Sequence, residues 1–250
     1  MISLRTSLLG LALLAGSTVP VLAADLGGLN DDNFAAGPAR VYLRGDIGYD
    51  WNHASSIDQL GASLDPASVG NGFNYGGGIG WYLSPNWRMD VTAEHHNDVK
   101  VSGSTLGPVD TTILGAADEE FSVSSNVVLA NLYYDFSSRS GFNPYLGVGL
   151  GWASNHVHGG MATDSTNCLC VETFDDASQS NFAWALMAGV TRQLDHGFNL
   201  DVGYRYLNVG SVHTGDLFDT TAAATTPGTG ISTGNISSHE IRVGLRYDVY

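Results

Sequence analysis

Histidine and cysteine carry the surface chemistry open to this chain. His156-Val157-His158 sets two imidazoles at i and i+2, which an extended backbone turns to the same side. His95 and His96 are adjacent, and Cys168-Leu169-Cys170 lies beyond the first pair. Imidazole and thiolate are the usual ligands of zinc, copper and haem iron. His156, His158, His95 and His96 are therefore candidate haem-binding residues, Cys168 and Cys170 candidate metal ligands, and haem or zinc the cofactors they would take. The plainer reading is that these histidines are polar aromatic interface residues and the cysteines idle or oxidised. A disulfide across a single residue closes a strained ring, even in an oxidising compartment.

Other chemistry is thinner. His53-Ala54-Ser55 is the one His-x-Ser triplet, but no carboxylate can be assigned to orient the histidine, so the geometric roles of a nucleophilic site go unfilled and no enzyme is expected. Arginine and carboxylate recur instead at alternate positions: Arg44 and Asp46; Arg88, Asp90 and Glu94; Asp135; Asp201 and Arg205; Arg242 and Arg246. The arginine fork suits buried pairing with carboxylates better than lysine does. An interior ionic network is expected, with a selectivity lining as the competing reading.

Alternation needs strands to display it. From Ile241, the odd residues Ile241, Val243, Leu245, Tyr247 and Val249 form a greasy face, and the even residues Arg242, Gly244, Arg246 and Asp248 a polar one. Similar text recurs near Arg40 to Trp51, Gly72 to Leu83, from Trp87, up to Phe136, Asn143 to Ala153, Asn181 to Leu194, Phe198 to Leu207 and His239 to Val249. The segment starting near Phe121 is out of phase with its end, which predicts a bulge around Ser124 to Val127. Apolar out and polar in, repeated about eight times, describes an all-β chain: an eight-stranded, antiparallel, up-and-down transmembrane β-barrel.

The connections alternate. Short turns fall near Ser84, Ser137 to Gly141 and Asp195. Four long external loops cover Asn52 to Asn71, Asn97 to Glu120, Ser154 to Ser180 and Asn208 to Ser238. These are rich in Asp, Ser, Thr, Gly and Asn and read as mobile and surface-displayed, without calcium-loop spacing. Tyr49, Trp51, Phe73, Trp152, Phe182, Trp184 and Tyr206 collect near the outer edge; Trp81, Trp87, Phe136, Phe198 and Tyr247 near the inner one. Two aromatic belts imply lipid between them. A soluble lipocalin-like barrel would instead carry a lysine-rich exterior, and Lys100 is the only lysine among 10 basic residues against 25 acidic ones. That acid excess disfavours nucleic acid.

The N-terminus reads as an export signal, residues 1–23, with Arg5, an apolar run from Leu8 to Ala15 and cleavage after Ala23 or Ala24. Residues 24–39 are expected as a short periplasmic tail and 40–250 as the barrel domain, located in the cell outer membrane. The implied partners are outer-membrane lipids and lipopolysaccharide, the barrel assembly machinery through the C-terminal strand, and an external ligand on the loops.

The segments "YLRGDIGYDW", "NLYYDF", "NPYLGVGLGWA", "LDVGYRYLNVG" and "IRVGLRYDV" resemble the small porin-like outer-membrane family with an OmpA-type eight-stranded barrel. The resemblance runs from about Val41 to the end. It implies a surface antigen or a structural, adhesive or porin-like protein, and hemin-binding members raise the haem reading without assigning any ligand residue. Two departures stand out. Val249, not an aromatic residue, holds the outward phase at the end, with Tyr250 one beyond, and no peptidoglycan-binding domain follows.

Overall fold

A computed structural model describes residues 41–59, 62–63, 67–105, 117–138, 141–164, 171–219, 224–226 and 230–249. The expected signal peptide, the tail, Cys168, Cys170 and Tyr250 lie outside the described residues. Eight long strands make the barrel: β1 Val41–Ala54, β2 Gly72–Tyr82, β3 Trp87–Thr105, β4 Ala117–Asp135, β5 Phe142–Asp164, β6 Ala177–Gln193, β7 Phe198–Gly210 and β8 Ile236–Val249. Each pairs antiparallel with the next, and β1 pairs with β8 from Val41↔Val249 to Ala54↔Ile236, closing the cylinder. Closure satisfies every strand edge, the condition for crossing lipid without helices.

The face assignments follow the pleat. Ile47, Phe73, Leu150 and Trp152 stand 65, 61, 58 and 69% exposed, while Asp46, Arg88, Asp90 and Arg205 on the opposite face are 5% or less. A water-soluble protein would reverse that order; lipid covers the exposed band here. Inward glycine makes room for large rings inside a narrow cylinder. A Cβ on Gly80 would overlap the Tyr42 ring, and one on Gly147 would overlap Tyr133. At the lower end, the Asp195–Gly197 turn carries His196 at φ 60°, a left-handed conformation that lets β6 fold straight back into β7.

Two expectations are corrected. No bulge interrupts Ser124 to Val127: Phe121, Val123, Ser125, Val127, Leu129, Asn131 and Tyr133 all face inward without a break. The bulges sit on the neighbouring strands, at Asn97–Asp98 of β3 and Gly159–Gly160 of β5, where the register shifts opposite Ser124 and Phe121. Each inverts the phase of its strand. Above them Val99 and Val101 replace Glu94 and His96 on the inner face of β3. The second correction concerns loops. Much of the stretches at 97–120 and 154–180 is strand, so that β3, β4 and β5 reach 19, 19 and 23 residues. Short strands also pair inside the remaining loops, Ile57–Gln59 between Ala62–Ser63 and Ile231–Thr233, and Val171–Phe174 with Leu217–Asp219.

Candidate functional site

The lumen holds two stacked layers. Below, guanidinium groups and carboxylates interlock across the barrel. Arg44 donates through Nη1 to Asp90 at 2.7 Å and through Nη2 to Asp46 at 2.7 Å. Arg205 forks between Glu240 at 2.7 Å and Glu94 at 2.6 Å, and Arg242 reaches the other Glu94 oxygen at 2.8 Å. Arg246 pairs with Asp201 at 2.9 Å, and Arg88 with Asp135 at 2.9 Å. The Arg88 Nη atoms have no hydrogen-bond acceptor, and the guanidinium lies 4.0 Å from the Tyr133 ring centre and 5.0 Å from that of Tyr145. The two π faces offset part of its lost hydration. Each of the ten residues expected in the network thus faces the lumen, joined by Tyr42, Tyr133, Asn131 and Thr191. A void against Arg44, Asp201 and Arg242 measures about 10 Å³, at most one water.

Above this layer the lumen turns apolar. Val101, Phe121, Val123, Val157, Leu207, Val209, Val212 and Ile236 are buried together, with Phe174, Ile57 and Ile231 contributed by the loop strands. The alternation of the upper strands hides this layer, because the bulges that turn these side chains inward leave no residue-level mark except Gly159-Gly160. One carboxyl intrudes. Glu119 is 2% exposed, both its oxygens lack partners, and burial pushes it up to about 7. Its place on the ladder, opposite Ala162 and ten residues beyond Trp152, puts it clear of the lipid band.

The four candidate haem residues separate. His156 and His158 stack on the outer face of β5, ring centres 5.6 Å apart, with His158 Nε2 3.7 Å from Asp98 and His156 Nδ1 2.6 Å from Ser178 Oγ. His95 lies against Tyr75 in the outer aromatic belt and shares a hydrogen bond with Asn126 at 2.9 Å. His239 does the same with Tyr204 at 2.5 Å. His96 points the other way. Its Nδ1 is 2.9 Å from Asp50 inside the barrel, next to Glu240. Its phase with Glu94, two residues earlier on β3, was the available signal. His53 and Ser55 share no hydrogen bond at the outer end of β1.

Both belts are built as expected. Tyr49 packs edge-on with Trp51 and Phe73 at 4.9 Å each on the outer side; on the inner side Trp87 packs edge-on with Tyr134 at 5.0 Å and Phe198 lies tilted against Tyr247 at 4.9 Å. Such rings settle at the headgroup level of a bilayer.

Comparison with known proteins agrees with this geometry. The family model described as "Outer membrane protein beta-barrel domain" matches residues 9–248. An uncharacterized protein of Brucella suis is 28% identical over 241 residues, covering 83% of this chain and 84% of the relative. A Rickettsia felis protein provisionally named an adhesin is 25% identical over 180 residues, covering 69% of this chain and 72% of the relative. Among solved structures, the outer membrane protein OprG from Pseudomonas aeruginosa superposes with a TM-score of 0.51 at 13% identity, over 85% of this chain and 96% of that one.

Proposed function

The chain belongs to the outer-membrane β-barrel domain family, and from that membership we propose a surface protein with a sealed barrel and an adhesive external sheet. The observation that carries the reading is the length of β3, β4 and β5. At 19 to 23 residues they outrun the roughly 9–11 that a tilted strand needs to cross a bilayer. Their upper halves form a ladder from Val99↔Val123 to Thr105↔Ala117 and from Ser122↔His158 to Ala117↔Asp164. Asp98, Asp118, Asp175 and Asp176 are exposed around it, and Lys100 is tied to Glu120 at 2.5 Å. An acidic sheet is repelled by the phosphates of lipopolysaccharide and presents itself to a cationic partner on another surface. The Rickettsia relative's name supports adhesion. The C-terminal strand, ending with outward Val249, would engage the barrel assembly machinery.

The test separates shell from channel and from adhesin. Refolded protein in planar bilayers is expected to pass no steady current, because both lumen layers are filled; regular conductance steps would make it a porin. Beads coated with the same protein are expected to bind a polycationic or cell surface, and a variant with Asp118→Lys and Asp176→Lys to lose most of that binding. Equal binding by both removes the adhesive reading.

One observation favours a second reading. The stacked His156–His158 pair with Asp98 beside it offers a rim site for haem or a transition metal. Saturable hemin binding that a His156→Ala/His158→Ala variant loses would establish it, and binding no greater than that of an unrelated barrel would end it.

A further inference from the structure

The lumen carries more acid than base. Asp46, Asp50, Asp90, Glu94, Asp201 and Glu240 are all at most 5% exposed. Of the five inward arginines, Arg88 is committed to Asp135, and the other four pair with every one of these carboxylates except Asp50. Asp50 has only His96 Nδ1, at 2.9 Å, and the amide of Asn74. A carboxylate shut away from water with no arginine or lysine beside it, and a single imidazole as its nearest base, is a costly arrangement for a protein to hold.

The surroundings of Asp50 supply what a cation needs. One ligand atom each from Asp50, His96 and Glu240 lies within 4.8 Å of the others. They come from rigid, adjacent strands: Asp50 is directly opposite Glu240 across the β1–β8 ladder, and Asn74 directly opposite His96 across β2–β3. Asn74 is 1% exposed, its amide lies 3.4 Å from Glu240, and its Oδ1 has no partner. Turning that amide over would aim the orphaned oxygen between the two carboxylates, where only a cation would welcome it. His96 Nε2 is a second buried atom without a hydrogen bond, with the Glu94 carboxylate 3.9 Å away. Beside the cluster, under the apolar layer, is a void of about 30 Å³ bounded by Asp50, His96 and Ser238, with room for a water ligand.

We infer that Asp50, His96 and Glu240, with the Asn74 amide oxygen as a fourth ligand, form a binding site for one divalent transition cation of the Zn²⁺ or Mn²⁺ class inside the barrel. One imidazole nitrogen and two to three oxygens suit such ions; a lone imidazole argues against Ca²⁺ and Mg²⁺, which take oxygen alone. The ion neutralises Asp50 and ties β8, β1, β2 and β3 together where the ionic layer gives way to the apolar one.

The experiment is a titration of refolded, chelator-stripped protein in detergent with ZnCl₂ and, separately, MnCl₂. Desalting and elemental analysis give the bound ion, and calorimetry gives the affinity. About one ion per barrel is expected, weakened roughly 10- to 100-fold or lost in His96→Gln and in Asp50→Asn, and unchanged in His156→Ala/His158→Ala. Heat-modified gel mobility reports which variants are folded; His96→Gln keeps the test decisive if Asp50→Asn fails to fold. The proposal is overturned if the wild type retains neither ion. It is equally overturned if the bound ion survives His96→Gln but disappears with the rim pair, which would move the metal to the outer face and leave the adhesive reading untouched.

Discussion

The lower and upper halves of the lumen solve one problem, filling a narrow cylinder, with opposite chemistry. The lower half is charged: Arg44, Arg205, Arg242 and Arg246 are held by carboxylates from other strands. The upper half is a small apolar core, with Phe121, Val123, Leu207 and Val209 at its centre. Charges that need partners on several strands fix the register of the lower barrel, since a slip by one residue would strand every one of them in lipid. The upper core has no such constraint, but the loop strands can close over it only because it is greasy. Specificity resides below and the lid above.

The comparison breaks most visibly at Arg205. Arg205→Met strips Glu240 of its arginine and leaves Glu94 with Arg242 alone, and is expected to cost about 3–5 kcal/mol, because buried carboxylate charge loses its partner. Urea unfolding followed by gel mobility measures the loss, and adding Glu240→Gln, which leaves the Arg242–Glu94 pair in place, should restore part of it. A cost below about 1 kcal/mol would mean that water already reaches the layer. Phe121→Ala is the matching lesion above, with an expected loss of about 3 kcal/mol, the low end for an aromatic truncation, and no rescue by neutralising acids. Neither variant should conduct in planar bilayers, since the other layer still blocks the bore; current through either one would show that a single layer does the sealing.

Legibility in the sequence divides along the same line. The lower half could be read because a strand in lipid writes its two faces in alternating letters, so that Arg242, Gly244 and Arg246 announce their side directly. Strand count, closure and both aromatic belts follow from that period. The upper half could not be read, because Asn97–Asp98 and Gly159–Gly160 invert the phase of β3 and β5 beside an unbroken β4. Apolar letters on the inner phase of β4 then read as a bulge within β4 itself. Adjacency groups His96 with His95 as a haem candidate, but two adjacent strand residues point to opposite faces, and His96 belongs to the lumen. The lumen cluster around Asp50 was invisible for a further reason: its members come from four strands, and no spacing in one segment records their meeting.

Glu119 sharpens the contrast, being the acid placed in the wrong layer. Its folded value of about 7 stands above the ordinary 4.5, so the folded state holds the proton more tightly than the unfolded chain does. The upper sheet is therefore at full stability below about pH 4.5, weakens as the pH rises to 7, and stays weakened above that. Glu119→Gln should abolish this slope. Hydrogen exchange in residues 117–123 is expected to show the variant more protected than the wild type at pH 8, by roughly 1–3 kcal/mol, and no different at pH 4. Equal protection at pH 8 would mean that the carboxylate finds a partner the static geometry does not give it.

The smallest expected effect tests how the upper layer is installed. Gly159 has φ 64°, and a Cβ added there would meet nothing within 4 Å, so Gly159→Ala isolates the backbone cost of the bulge, about 1 kcal/mol. Gly160, its neighbour, has ordinary backbone but lies against Phe174, whose Cβ would be 2.8 Å from the added methyl. Gly160→Ala therefore strains packing and not conformation. If the bulge exists to turn β5 over, Gly159→Ala should loosen exchange on both sides of it, at 157–158 and 160–162, while Gly160→Ala should act mainly on 171–174 where Phe174 sits. The lower layer should not respond to either. Loosening that spread from Gly159 down to Tyr145 would show that the phase of β5 is set from the top of the barrel, and that the charged layer takes its register from the apolar one.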